Sequence, residues 1–114
     1  MADGGPERAS MRLRKSIGVV IEDKHAFARF HGTVADISAT GMRLLSDAYL
    51  PPLMQYAFAF KCTPPLVVRG EVRWVRAVAG DTFACGVLFV EMSEEKRRTL
   101  HTLLELEGRR VPAR

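Results

Sequence analysis

The chain has 114 residues, 47% of them hydrophobic and 26% charged, with a formal net charge of +4. This fits one ordinary globular domain with a single modest core that needs no disulfide staples. The most apolar stretch, Tyr49 to Val68, is cut by Pro51, Pro52, Pro64 and Pro65 and carries Lys61, which excludes a helical membrane span. The charge is unevenly placed: residues 1–15 carry +2 and residues 109–114 carry +3, leaving the body at −1. A nucleic-acid groove wants its Lys and Arg on the folded body, so this distribution fits a small anionic ligand better.

In chain order, residues 1–11 are polar, contain Gly4, Gly5 and Pro6, and read as a mobile arm. They carry charges but no apolar h-region, so no secretory signal is expected. Short runs of period two follow. Ser16 to Glu22 is β-branched, Phe27 to Ile37 contains Phe30, Val34 and Ile37, and Asp36 to Gly41 is a turn signal. Met42 to Leu45 is apolar around Arg43, and Gln55 to Lys61 alternates with Tyr56, Phe58 and Phe60 on one face. In Leu66 to Val78, Val68, Val72 and Trp74 are expected to point one way and Arg69, Glu71 and Arg73 the other. Thr82 to Val90 places Phe83, Cys85, Val87 and Phe89 on one side. Six such runs predict an all-β barrel or sandwich.

The period changes at Ser93, a good N-cap with Glu94 and Glu95 in the first turn. Leu100, Leu103, Leu104 and Leu106 form a stripe at helical spacing, and Gly108 is a natural C′ residue. The expectation is a folded domain over 12–108 with a helix at about 93–107, followed by a basic tail at 109–114. Cys62 and Cys85 lack CxxC spacing and read as reduced, buried thiols, as in a cytoplasmic protein. His25, His31 and His101 show no paired carboxylate or metal-ligand spacing and read as surface residues. No Ser-His-Asp set, P-loop or GxGxxG is present, so neither catalysis nor a metal or cofactor is expected.

Asp36-Ile37-Ser38-Ala39-Thr40-Gly41 is a DxSxxG turn. Asp and Ser commonly bond their own backbone in turns and Gly supplies a positive φ, so a purely structural reading is available. The functional reading is that a carboxylate accepts from the N1–H and N2–H₂ edge of guanine while a serine hydroxyl donates to a phosphate oxygen. Arg8 and Arg12 form an RxxxR, a pattern also matched by Arg69–Arg73 and Arg110–Arg114, where a solvated face is the better reading. A guanidinium forks onto phosphate or onto guanine O6 and N7, and stacks on purines. Arg12 lies 24 residues before Asp36, room for one strand out and one back, which can bring both motifs to one end of a barrel.

With both motifs in this order, the sequence resembles the PilZ family. Gly70 to Val75 looks like the family's strand with a Gly and a Trp, and Phe83 to Val90 looks like its GxxF strand, so the resemblance spans roughly residues 8–106. It implies a six-stranded antiparallel barrel, a C-terminal helix and cyclic di-GMP binding without catalysis. It further implies that Arg8 and Arg12 grip guanine faces and phosphates, that Asp36 and Ser38 contact guanine and phosphate, and that Gly41 permits close approach. Arg14, Thr40 and Trp74 are further candidates. Thr40 stands where members commonly have a second Gly. Glu7 and Leu13 flank the RxxxR where members that bind an intercalated dimer often carry arginine, which favours one ligand molecule per chain. The expected output is a surface read by an effector protein. The alternatives are a ligand-independent PilZ-like adaptor and a single-stranded nucleic-acid-binding barrel; the latter wants exposed aromatics on a basic sheet.

Overall fold

A computed structural model describes the backbone of residues 11–110 and the side chains of residues 17–106. Eight elements follow in order: β1 (Met11–Asp23), β2 (Ala28–Ile37), β3 (Gly41–Ser46), β4 (Gln55–Phe60), β5 (Leu66–Ala79), β6 (Thr82–Val90), α1 (Glu94–Glu107) and β7 (Gly108–Arg110). The strands pair antiparallel in the order β2-β3-β6-β5-β4-β1, and the β1–β2 pairing joins the two ends into a closed six-stranded barrel. Closure removes the exposed edges that an open sheet of this size would leave. The short β7 adds to the first residues of β1, pairing Met11–Leu13 with Gly108–Arg110.

Period-two patterning is what closes this barrel around a core. In β4, Tyr56, Phe58 and Phe60 face inward, and they meet Val68 and Val72 of β5 and Cys85, Val87 and Phe89 of β6. Ile17, Val19, Ile21, Val34, Ile37, Met42 and Leu44 line the same interior, with Leu50 and Leu66 beside them. Gly70 faces this interior, where an added Cβ would lie 2.5 Å from Val87 Cγ1 and 3.0 Å from Phe58 Cε1. The small residue thus makes room for the largest buried ring.

The helix begins as expected. Ser93 Oγ accepts from the Lys96 amide at 3.2 Å and the Ser93 carbonyl accepts from Arg97 N–H, an N-cap followed by two first-turn acids. Leu100 and Leu103 are buried and Leu104 packs against the core, while the helix lies on β1, β5 and β7. Three details differ from the sequence reading. Leu106 is exposed and outside the stripe. Gly108 follows the helix end at Glu107 as expected, but the chain then forms β7, so that the expected tail enters the sheet through Arg109 and Arg110. His101 does have a carboxylate partner: its Nε2 lies 3.3 Å from Glu105 Oε2, one helical turn on.

Cys85 is fully buried, whereas Cys62 is only half-buried and donates from Sγ to the Pro64 carbonyl. Burial pushes the Cys85 thiol up from 9.0 to about 11. The folded state therefore keeps a proton that the unfolded chain releases above pH 9. Stability from this thiol is intact below pH 9 and falls as pH rises toward 11, by at most about 2–3 kcal/mol. Denaturant midpoints at pH 8 and pH 10.5 should differ in the wild type, and by less in Cys85→Ala. The raised pKa of Tyr56, caused first by burial and then by Asp23 and Cys85, acts in the same direction.

Candidate functional site on the outer barrel face

The β1–β2 hairpin brings the two sequence motifs together. Arg12 is the direct register partner of Asp36, and Met11 that of Ile37. The strand out and back foreseen from the 24-residue spacing is therefore realised in register. Arg8 lies outside the described residues, as does most of the expected arm; for Arg12 and Arg14 only the backbone is described.

The turn after Asp36 is tightly organised. Ser38 N–H donates to the Gly41 carbonyl at 2.8 Å, and Ser38 Oγ accepts from the Thr40 amide at 3.3 Å. The same hydroxyl lies 3.3 Å from the Gly41 carbonyl and 3.4 Å from Thr40 Oγ1. The Thr40 carbonyl accepts from Phe89 N–H, which clamps the turn onto β6. Gly41 is required here for space. An added Cβ would sit 2.3 Å from the Val87 carbonyl oxygen, and the only described glycine with positive φ is Gly80. The expectation that Gly41 supplies a positive φ is corrected accordingly: the close approach of β3 to β6 is the cause.

Asp36 behaves differently from Ser38. Among the described residues its carboxylate makes no bond to the turn's own backbone. It accepts instead from Arg43 Nη2, directly opposite on β3. The structural reading of the turn thus covers Ser38 and Gly41 but leaves the Asp36 carboxylate unexplained as a turn element. Arg43 belongs to neither motif and was not expected at the site. Its place was readable, because a turn with Ile37 facing Met42 puts Asp36 across from Arg43.

The row continues around the barrel. Arg43 pairs with Gly86 on β6, and Gly86 pairs with Trp74 on β5. Ile37 and Met42, one step along, are buried, so Asp36, Arg43, Gly86 and Trp74 lie on the outer face. This corrects the expectation that Trp74 points with Val68 and Val72. The register shifts between Val72 and Trp74, so Val72 faces Val87 inside while Trp74 faces Gly86 outside. One extra residue in a strand reverses the alternation beyond it. The indole lies against Gly86, where an added Cβ would be 2.1 Å from Trp74 Nε1, and the Arg76 guanidinium carbon sits 5.7 Å from the ring centroid. The outer face therefore offers, over three strand spacings or roughly 14 Å, an ion-paired carboxylate, an arginine and a half-exposed indole that covers the glycine between them.

Gly86→Ala is expected to lift the indole off the sheet, since the new methyl and Nε1 cannot share that space. Trp74 is the sole tryptophan, so its emission should shift to longer wavelength; an unchanged spectrum would show that the ring does not rest on Gly86. Arg69 and Arg73 are surface partners, Arg69 to Gln55 and Glu91 and Arg73 to Glu71, as expected of a solvated face. No group of three or more metal-ligating side chains exists among the described residues.

Comparison with known proteins agrees with this architecture. The family model described as PilZ domain matches residues 6–106. The fold is similar to the PilZ domain with c-di-GMP of YcgR from Escherichia coli, with a TM-score of 0.68 at 16% identity over 86% of each chain. It is similar to YcgR in complex with c-di-GMP from Escherichia coli, with a TM-score of 0.70 at 13% identity over 84% of this chain. It is also similar to the Bacillus subtilis inhibitor of motility MotI/DgrA, with a TM-score of 0.64 at 12% identity over 84% of this chain. The matched regions are 42% and 48% of those two longer proteins. Among curated proteins there is no significant sequence match. A closed six-stranded barrel with a C-terminal helix, an RxxxR-to-DxSxxG hairpin and a family match over nearly the whole sequence lead to one assignment: the chain belongs to the PilZ domain family.

Proposed function

We propose that this domain is a non-catalytic cytoplasmic receptor for cyclic di-GMP that passes the second-messenger level to a partner protein. The observation that carries the reading is the register of Arg12 against Asp36. It brings an arginine position and the Asp36 carboxylate to one strand pair, beside the turn that holds Ser38 and Gly41. Family membership and the c-di-GMP named for two structural neighbours support the choice of ligand.

In this reading Asp36 accepts from the guanine N1–H and N2–H₂ edge, and Arg8 and Arg12 fork onto phosphate and the O6/N7 edge. Ser38 contributes its hydroxyl and Gly41 lets the turn lie close to the ligand, with Arg14 and Thr40 at its margin. Trp74 offers an aromatic face at the far end of the same outer row. The nucleic-acid alternative is disfavoured because Phe58, Phe60 and Phe89 are buried and the exposed Phe27, Tyr49 and Trp74 stand on three separate segments instead of forming one stacking platform on a basic sheet. The relay is assigned to residues 8–14. Amide exchange there should slow together with exchange at residues 36–41 when ligand binds, and equal rates with and without ligand would contradict the relay.

Calorimetric titration tests the binding itself. Cyclic di-GMP should bind with one molecule per chain, in preference to cyclic di-AMP because adenine reverses part of the guanine donor–acceptor pattern, and in preference to GTP and GMP because each of these offers one guanine instead of two. Equal binding of cyclic di-AMP would defeat the reading.

A further inference from the structure

Arg43 sits outside both sequence motifs, yet it is the only described side chain that holds the Asp36 carboxylate. Its Nη2 donates to Asp36 Oδ2, with the arginine 52% exposed and the carboxylate 17% exposed. The two residues face each other across the β2–β3 hairpin on the outer wall. On the far side of Arg43 the partner position is Gly86, which has no side chain to compete for the guanidinium or to cover it. Resting on the reading of Asp36 as the guanine acceptor, we propose that Arg43 is a specificity-determining positioning residue, which fixes the plane of the Asp36 carboxylate so that it meets guanine and refuses adenine.

An ionised carboxylate has two oxygens with about four acceptor directions, and its terminal torsion is broad unless something holds it. A guanidinium donor on Oδ2 fixes that torsion and occupies one of those directions. The unoccupied directions on Oδ1 and Oδ2 then share the one plane that the guanidinium contact sets. Guanine presents two donors side by side, N1–H and N2–H₂, and both can be accepted by such a plane. Adenine presents a donor beside the N1 lone pair, so a fixed carboxylate pays a repulsion that a rotating one can avoid. An exposed ion pair adds little to folding, which leaves its effect on ligand choice as the part that can be measured.

Titrations of cyclic di-GMP and cyclic di-AMP into wild type, Arg43→Ala and Arg43→Lys decide the matter, with thermal melts to show that each variant folds. Arg43→Ala is expected to lose about tenfold in cyclic di-GMP affinity and much less in cyclic di-AMP affinity, so that the ratio between the two collapses. Arg43→Lys should restore most of that ratio, because an ammonium can also donate to Oδ2. An equal loss for both ligands at constant ratio would make Arg43 a simple phosphate counter-charge and overturn the proposal. So would unchanged binding by Arg43→Ala. A wild type that binds neither ligand overturns the functional reading, and this proposal with it, whereas a wild type that binds normally beside an indifferent Arg43→Ala overturns the proposal alone.

Discussion

Asp36→Ala is expected to weaken cyclic di-GMP binding by about ten- to a hundredfold while leaving the thermal melt of the ligand-free barrel nearly unchanged. The loss follows from removing charge-assisted hydrogen bonds worth roughly 1.5–3 kcal/mol. The barrel should tolerate the change because Asp36 makes no bond to the turn's backbone among the described residues. The turn is held by Ser38, Thr40 and the clamp from Phe89 N–H. The ion pair that is lost lies at the surface, where such pairs contribute about 0–1 kcal/mol, and Arg43 is half exposed and can return to water. Calorimetry paired with a melt checks both halves. A variant that binds normally but melts much earlier would assign Asp36 to the fold.

Phe58→Ala should show the opposite pattern. Phe58 is fully buried among Tyr56, Gly70, Val87 and the rest of the barrel interior. Removing the ring takes away buried apolar surface and leaves a cavity that a closed barrel cannot readily collapse, at a cost of about 3–5 kcal/mol. That is a large share of the stability of a domain this size. The denaturant midpoint should fall steeply, while the fraction that remains folded should bind cyclic di-GMP as the wild type does, since no atom of Phe58 lies on the outer face. A loss below about 1 kcal/mol would show that the interior is looser than its contacts indicate.

Much of this architecture can be read from alternation. Tyr56, Phe58 and Phe60, and the alternate residues Phe83, Cys85, Val87 and Phe89, fall on the interior because a strand with one buried face has no other stable register. Ser93 caps α1 for a reason local to four residues. The pairing of Arg12 with Asp36 was within reach because a hairpin ties chain spacing to position. What could not be read depended on contacts between distant strands or on one inserted residue. The bulge before Trp74 leaves no trace in the hydrophobic pattern, yet it turns the indole from inside to outside. Gly41 owes its identity to a carbonyl on β6, which no local turn rule contains. The strand β7 is three residues long and exists only because β1 runs beside it, too short for any period to declare itself. Arg43 hid between the apolar residues of its strand, although the turn it follows fixes its partner.

The central claim is that ligand binds on the outer row running from Asp36 to Trp74, and a two-dimensional nitrogen–proton NMR titration with cyclic di-GMP tests it most directly. The single tryptophan gives one indole N–H signal, and the far tip of the β1–β2 hairpin, roughly 25 Å from Asp36, serves as an internal control. The account predicts that amides of residues 36–43 and Gly86 and the Trp74 indole shift together at one saturating concentration, while those of Lys24 to Phe27 stay in place. Shifts centred on the hairpin tip, or on any surface that leaves Asp36 and its row unmoved, would contradict it.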